Sequence, residues 1–255
     1  LALFANSRVQ WPPMIKELFH ALSIFNLNLE ITAPECSIPD LGYESKWHFI
    51  MATPLLVTLL LLSTHVFLWC KKRFISGRRR KSMTHLSALI ATYLVMFYFL
   101  YLYLTRTTLD VFNCSPTDPP DGKEYLEVVF EPCGEPGGLQ VRLLPLASIT
   151  LIVYVIGYPA FVYGTLRKHK LRIMEDQLLR AQGKGDTRVE NRNAYDIRKR
   201  YHKIYYHFKP DFYWWIMAVL ARKFCIAFTA LMFNKNPAFQ LSMALLVMFS
   251  GYVLQ

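Results

Sequence analysis

Charged residues are scarce in this sequence. Asp, Glu, Lys and Arg make up 18% of the 255 residues, whereas hydrophobic residues make up 53%. A soluble domain carries about 25% charged residues on average. The apolar residues also occur in runs of about twenty, the length of a helix that crosses a bilayer, rather than in short amphipathic stretches. The composition therefore argues against an ordinary soluble domain and predicts a membrane protein.

Catalytic and metal-binding motifs are missing as well. The seven His do not form HExxH or another close ligand spacing, and the sequence has neither GxSxG nor a phosphate-cradling glycine motif. His202 and His207 lie in a basic, aromatic stretch and are predicted to lie at a membrane interface. We therefore expect no enzyme activity, no bound metal and no cofactor.

Acidic residues are fewer than basic ones. The chain has 29 Lys and Arg against 18 Asp and Glu, a formal net charge of +11. Such an excess suits nucleic acid, an acidic partner or an anionic membrane surface. The basic residues cluster just outside the apolar runs, and no basic groove with interleaved aromatic residues is visible. We therefore predict membrane lipids as partners and no nucleic acid.

Three apolar runs, residues 48–70, 86–105 and 145–166, predict membrane-spanning helices. Each is long enough to cross about 30 Å of hydrocarbon at about 1.5 Å per residue. A helix pairs the backbone groups of an isolated span inside lipid. Residues 212–233 and 238–255 are predicted as two further spans. The predicted fold class is an all-α, multi-pass transmembrane helix bundle with a small disulfide-containing extracellular loop.

Loop charge predicts the orientation of these spans. Residues 167–209 carry 13 Lys or Arg against 5 Asp or Glu, whereas residues 106–144 carry 3 against 7. Basic loops remain in the cytoplasm, so the first loop lies inside and the second outside. The loop between the first two spans is also basic and is predicted to contact anionic lipids. Its basic residues are Lys71, Lys72, Arg73, Arg78, Arg79, Arg80 and Lys81.

The remaining segments complete the predicted organisation. Residues 1–47 are expected to hold the end of a truncated span and an amphipathic interfacial pre-helix over 14–25. Residues 167–211 predict a solvated helical hairpin that bends at Gly183 and Gly185, with a docking site for a cytoplasmic partner as the alternative. The chain thus divides into 1–47, 48–105, 106–144, 145–166, 167–211 and 212–255.

Cysteine positions predict one disulfide. Cys114 and Cys133 enclose a turn-rich segment on the outer side, where disulfides persist, so a bridge between them is expected. A bridge from Cys36 to either of them is the main competitor. Asn113 is a candidate glycosylation acceptor, because the sequence Asn-Cys-Ser fits the acceptor pattern. Cys70 is a candidate for palmitoylation or for a buried structural thiol.

Two features inside the spans stand out. Arg222 and Lys223 lie near the centre of the fourth apolar run, where a charge costs about 2.5 to 3.5 kcal/mol on insertion scales. They either extend to cytoplasmic head groups or face the bundle as gating charges. Gly157 and Pro159 predict a kink in the third span, which is either a hinge or an inert bend.

Several local patterns, in this order, resemble the carboxy-terminal multi-pass membrane module of large cell-surface proteins of algae, oomycetes and other protists. Those proteins often carry EGF-like, ephrin-receptor-like or pectin-lyase-like ectodomains, and the module is distantly similar to TRP-like channels. The family often has an acidic residue where this chain has Ile216. The patterns are Trp11-Pro12-Pro13, the segment 22–27, Cys36, Phe112-Asn113-Cys114, the segment 121–126, Cys133, the segment 156–159, and the segments 209–215 and 221–223.

The resemblance implies an architecture and a set of functions to weigh. It implies an ectodomain before this region, a plasma-membrane location that includes the ciliary membrane, and assembly with other helices, an oligomer or a larger surface structure. The first hypothesis is a TRP-like or polycystin-like cation channel or mechanosensory subunit. The alternatives are a structural membrane anchor for an adhesive or filament-forming ectodomain, and a lipid-binding or lipid-modifying protein, which would require an elongated cavity between its helices with polar groups at its mouth.

Overall fold

A computed structural model describes residues 42–75, 83–117, 119–233 and 236–254. The described part is mostly helical. A π-helix, Leu151–Ile156, joins two of the helices, and a 3-10 turn, Pro210–Phe212, precedes another. In chain order the helices are α1 (Tyr43–Ile75), α2 (Met83–Asp110), α3 (Leu139–Thr150), α4 (Gly157–Lys168), α5 (Lys170–Ala181), α6 (Tyr195–Tyr205), α7 (Trp215–Met232) and α8 (Pro237–Val253).

Four helical stretches are long and apolar enough to cross a membrane, which confirms that four of the predicted spans are helices of spanning length. The fifth predicted span forms a shorter apolar helix, Ala238–Val253. The first three helical stretches extend beyond the predicted spans 48–70, 86–105 and 145–166, because a charged residue does not stop a helix at an interface, whereas the fourth, Trp215–Met232, is slightly shorter than predicted. The four stretches are Tyr43–Leu68, Leu86–Asp110, Leu139–Lys168 and Trp215–Met232.

The predicted outer loop, 106–144, is corrected in two ways. Helix α2 continues to Asp110 and α3 begins at Leu139, so the connection is shorter. It also contains an antiparallel sheet of three strands in the order β1 (Cys114–Pro116), β2 (Glu124–Leu126), β3 (Glu131–Pro132). The expectation of an all-α fold is therefore wrong in this segment, because strands of two or three residues carry no periodic signal.

The chain divides into two compact units. The first unit comprises the described parts of Leu1–Met51, Leu100–Gly157 and Leu220–Gln255, and the second comprises those of Ala52–Phe99 and Tyr158–Val219. The first unit contains the sheet. Its core joins side chains from the helix ends and from the strands, and the buried members are Trp47, Val111, Leu126, Leu139, Leu143 and Ala147.

Trp47 explains why the first helix starts earlier than expected. Its side chain is fully buried, and its indole Nε1 donates a hydrogen bond to the carbonyl oxygen of Thr107 at 3.0 Å. The start of α1 is therefore held against the end of α2 within the first unit. Burial of an aromatic side chain contributes strongly to a core.

Some predicted features lie outside the described residues. These are the segment 1–5, the pre-helix 14–25, Cys36, and the basic residues Arg78, Arg79, Arg80 and Lys81. The remaining basic residues of that loop, Lys71, Lys72 and Arg73, lie in the last turns of α1, and the Lys71 side chain is exposed. Their contact with anionic lipid stays a prediction.

Candidate functional site

The third span is irregular at the place where the sequence predicts a kink, with a hinge and an inert bend as its two interpretations. Six residues, Leu151–Ile156, form a π-helix between α3 and α4. The N–H of Gly157 donates to the carbonyl of Ile152, five residues earlier. A Cβ at position 157 would lie 3.3 Å from that carbonyl oxygen, so glycine relieves crowding there. Such π segments are rare and occur frequently at functional sites.

Pro159 adds a second irregularity two residues later. Proline has no N–H, so it cannot donate to the carbonyl of Val155, the usual acceptor four residues earlier in an α-helix. Within the first unit, the Tyr101 hydroxyl of α2 donates to that Val155 oxygen at 3.0 Å. Tyr101 is only 2% exposed, and its ring centroid lies 6.1 Å from that of Tyr154. A neighbouring helix thus supplies a donor to the interrupted part of the span.

The Arg222 and Lys223 side chains are both half-buried in α7. Arg222 lies across Gly251 of α8, where a Cβ would be 2.9 Å from its Cδ and 3.4 Å from its Nη1. Among the described residues, no carboxylate lies within ion-pair distance of Arg222. Packing on a glycine explains where the aliphatic part of Arg222 lies, and both interpretations of the charged pair stay open.

The expected disulfide between Cys114 and Cys133 is present. It therefore rules out the alternative bridges from Cys36 to either cysteine. Gln140, near the start of α3, contacts the bridged segment twice. Its Nε2 lies 3.0 Å from the Cys114 sulfur, and its Oε1 accepts the Gly134 N–H at 2.9 Å. The bridge is thus joined to the first turn of the third span.

Asn113 lies beside the bridge and is half-buried. Its Nδ2 donates a hydrogen bond to Oε2 of Glu127 at 2.8 Å. That nitrogen is the atom that a glycan would modify, so glycosylation has to break this bond. Asn113 as a glycosylation acceptor stays a prediction.

A buried polar cluster, which sequence reasoning missed, joins α5 to α6 in the second unit. Asp176 is 1% exposed and accepts hydrogen bonds from Asn191 Nδ2 at 2.5 Å and the Tyr205 hydroxyl at 2.9 Å. Arg198 Nη1 lies 3.7 Å from the same carboxylate and donates to the Gly185 carbonyl at 2.6 Å. These four side chains, Asp176, Asn191, Arg198 and Tyr205, are called the Asp176 cluster.

Protonation in this region follows from burial. Burial, together with the Asp176 carboxylate, raises the pKa of the Tyr205 phenol well above its usual range, so Tyr205 remains a donor at neutral pH. Burial also lowers the pKa of His202. The hydrogen bond to the Arg198 carbonyl opposes this shift, and the positive charges of Lys203 and Arg198 add to it. His202 is therefore neutral at pH 7.

The helix periodicity contains a weak signal for the Asp176 cluster. Asp176 and Gln177 stand three and four residues after Ile173, which places them on the same helix face. Ile173 is fully buried, and Gln177 donates to the carbonyls of Tyr205 and Phe208, both at 2.8 Å. The surrounding charge made the whole segment look solvated.

No group of three or more His, Cys, Asp or Glu among the described residues is arranged to hold a metal ion. Gly157 and Pro159 lie in the first turn of α4, directly after the π-helix, whereas Cys114 lies in β1 and Cys133 directly follows β3. Comparisons with protein-family models, curated proteins and solved structures found no match to this chain. The resemblance to a surface-protein membrane module and to TRP-like channels therefore stays a prediction.

Proposed function

We propose that this chain is the multi-pass transmembrane module of a large cell-surface protein and works as a TRP-like or polycystin-like cation channel or mechanosensory subunit in the plasma membrane. Four helices of spanning length and the sequence resemblance support the module. The observation that carries the mechanosensory part is the π-helix Leu151–Ile156 in the third span.

Chain connectivity supports the placement of the sheet and the α5–α6 hairpin on opposite sides of the membrane. The sheet precedes the stretch Leu139–Lys168, and the α5–α6 hairpin follows it. Because a single span crosses the bilayer once, the two elements are expected on opposite sides. The acidic balance of 106–144 and the basic balance of 167–209 favour the sheet outside and the hairpin in the cytoplasm.

A force on the sheet would act on the third span, because the sheet packs against the first helix of that span. Leu139 and Leu143 of α3 belong to the same buried core as Leu126 of β2, and the π-helix begins one residue after α3 ends. The backbone of a π segment bonds five residues back, and the same residues can instead bond four residues back as in an α-helix. Packed elements switch between such discrete arrangements rather than deform continuously. Displacement of the sheet is therefore expected to change the backbone hydrogen bonding of the third span near Val155.

Current recordings from the full-length protein in a bilayer test this function. We expect a conductance under voltage, membrane tension or calcium. Tyr101→Phe should shift the tension that opens it, because Tyr101 donates to Val155, while Tyr163→Phe, at an exposed position of α4, serves as the control. Absence of conductance under all three stimuli would reject the channel.

One observation favours a structural anchor as the second candidate. Among the described residues, the only carboxylates in the four candidate spans are Glu44 and Asp110, near span ends. Cation pathways commonly use rings of Asp or Glu, or backbone carbonyls. An anchor needs only packed helices. Normal retention of the ectodomain at the cell surface without any conductance would support the anchor.

A further inference from the structure

A cavity of about 420 Å³ lies within the second unit. Most of its lining is apolar or aromatic and comes from α2, α4, α6 and α7, with Val95, Tyr158 and Ile216 as representatives. Two basic side chains, Lys203 and His207, complete the lining, and both are exposed. Cavities of this size hold small ligands, and a few polar groups orient the ligand.

The two kinds of lining belong to different surroundings. The apolar lining belongs to helices long and apolar enough to cross a membrane, as Val95, Tyr158 and Ile216 illustrate. The basic lining, Lys203 and His207, belongs to the segment of the chain that connects the third candidate span to the fourth. If the spans are in lipid, the apolar wall lies at the level of the fatty acyl chains in the bilayer. The basic end then lies at the level of head groups, where cationic side chains meet lipid phosphates.

We propose that this cavity binds an anionic phospholipid of the cytoplasmic leaflet, with one acyl chain against the apolar wall and the phosphate at Lys203 and His207. Charge supports this ligand, because residues 167–209 carry 13 Lys or Arg against 5 acids. A neutral apolar metabolite would make no use of the two basic groups at the end of the cavity. The proposal rests on the membrane placement of the spans and is independent of conductance.

Binding at this place would bear on the third span. Tyr158, a cavity residue, stands between Gly157 and Pro159 and donates its hydroxyl hydrogen to the Leu94 carbonyl at 3.0 Å. Its ring lies 5.9 Å from that of Phe97. An acyl chain against Tyr158 therefore contacts the residue that links α2 to the start of α4, so the bound lipid is positioned to influence the third span directly after its π-helix.

Photocrosslinking in nanodiscs tests the proposal with the full-length protein. Two probes with the same diazirine-bearing acyl chain are compared, one a phosphatidylserine and one a phosphatidylcholine, and labelled peptides are identified by mass spectrometry. We expect the phosphatidylserine probe to label peptides that contain Val95 or Ile204 at least fivefold more than the phosphatidylcholine probe does. Labelling elsewhere on the spans reports contact with bulk lipid.

Variants separate the head-group contact from the apolar wall. The double variant Lys203→Gln/His207→Gln should reduce phosphatidylserine labelling of the cavity to the phosphatidylcholine level. Lys184→Gln/Arg192→Gln removes two positive charges at exposed positions of the same segment and should leave labelling unchanged. Val95→Trp should fill the cavity and reduce labelling by both probes.

Three results would overturn the proposal. Equal labelling by the two probes would reject head-group recognition, and an equal loss in the Lys184/Arg192 control would reduce the effect to net charge. Absence of cavity labelling, with span labelling intact, would reject the lipid site while the transmembrane module stands. A protein that shows no span labelling at all would instead contradict the membrane placement.

Discussion

At the scale of single residues, Asp176 concentrates the polar contacts of the α5–α6 hairpin. Its carboxylate is buried and is contacted by Asn191, Arg198 and Tyr205. Buried charges remain stable only when paired and hydrogen-bonded. The hairpin therefore depends on a buried group in a segment whose many charged residues suggested a solvated surface.

Replacing Asp176 should loosen the hairpin. Asp176→Ala leaves the Asn191 amide and the Tyr205 hydroxyl without their buried acceptor, whereas Arg198 keeps its bonds to Gly185 and Asp186. The expected loss is about 3 kcal/mol in the free energy of unfolding. Hydrogen exchange of the α5 and α6 amides would measure it. Glu175→Ala is the matched control, because Glu175 is exposed, and should change exchange little. Equal effects of the two variants would contradict the importance of the cluster.

Gly251 should be intolerant of a side chain. In Gly251→Ala the new Cβ meets Arg222 Cδ at 2.9 Å, so overpacking should cost about 1 kcal/mol or more. Thermal unfolding in detergent would show this loss, and adding Arg222→Ala should recover most of it. Gly164→Ala, where no atom lies within 4 Å, should stabilise the helix by about 0.5 kcal/mol. A loss in Gly251→Ala that Arg222→Ala does not relieve would argue against this contact.

At the scale of elements, the irregular part of the third span gives a coupled prediction. Tyr101→Phe removes a donor to the Val155 carbonyl and should destabilise the protein by about 1 to 2 kcal/mol. In a Pro159→Ala background the restored N–H can donate to the Val155 carbonyl, so Tyr101→Phe should lower the free energy of unfolding by less. Thermal unfolding of the four variants measures this coupling. Identical costs in both backgrounds would show that Tyr101 does not compensate for Pro159.

The sheet should depend on its disulfide. The bridged cysteines are 19 residues apart, and on the loop-entropy estimate reduction should cost about 3 kcal/mol. Hydrogen exchange before and after reduction would measure it, with faster exchange expected in β1 and β2 and no change in α5 and α6. Unchanged protection of the strands in the reduced protein would contradict this role.

The sequence predicts the larger elements better than the smaller ones. Apolar runs of spanning length leave few alternatives to helices in lipid, so four spans are recovered with displaced ends. Trp47 lies outside the predicted first span, yet its burial extends α1. The strands around Tyr125 are too short to show alternation. The Asp176 cluster depends on a turn that brings Asn191 back to α5, and helix periodicity does not contain that information.

At the scale of the whole molecule, exposed apolar side chains indicate what surrounds the spans. Leu55, Leu59, Leu60 and Phe67 of α1 are each 62% to 67% exposed. In water such a surface marks an interaction site or an aggregation risk, whereas lipid solvates it without cost. The same exposure is expected of a helix that faces lipid or a neighbouring subunit.

Cysteine accessibility in intact cells is the most direct measurement of the transmembrane arrangement. In a background in which Cys36, Cys70 and Cys225 are replaced by serine, Lys123→Cys marks the sheet and Lys184→Cys marks the hairpin. A membrane-impermeant maleimide should label Lys123→Cys on intact cells and Lys184→Cys only after permeabilisation. Labelling of both positions from the same side of the intact membrane would contradict the transmembrane arrangement.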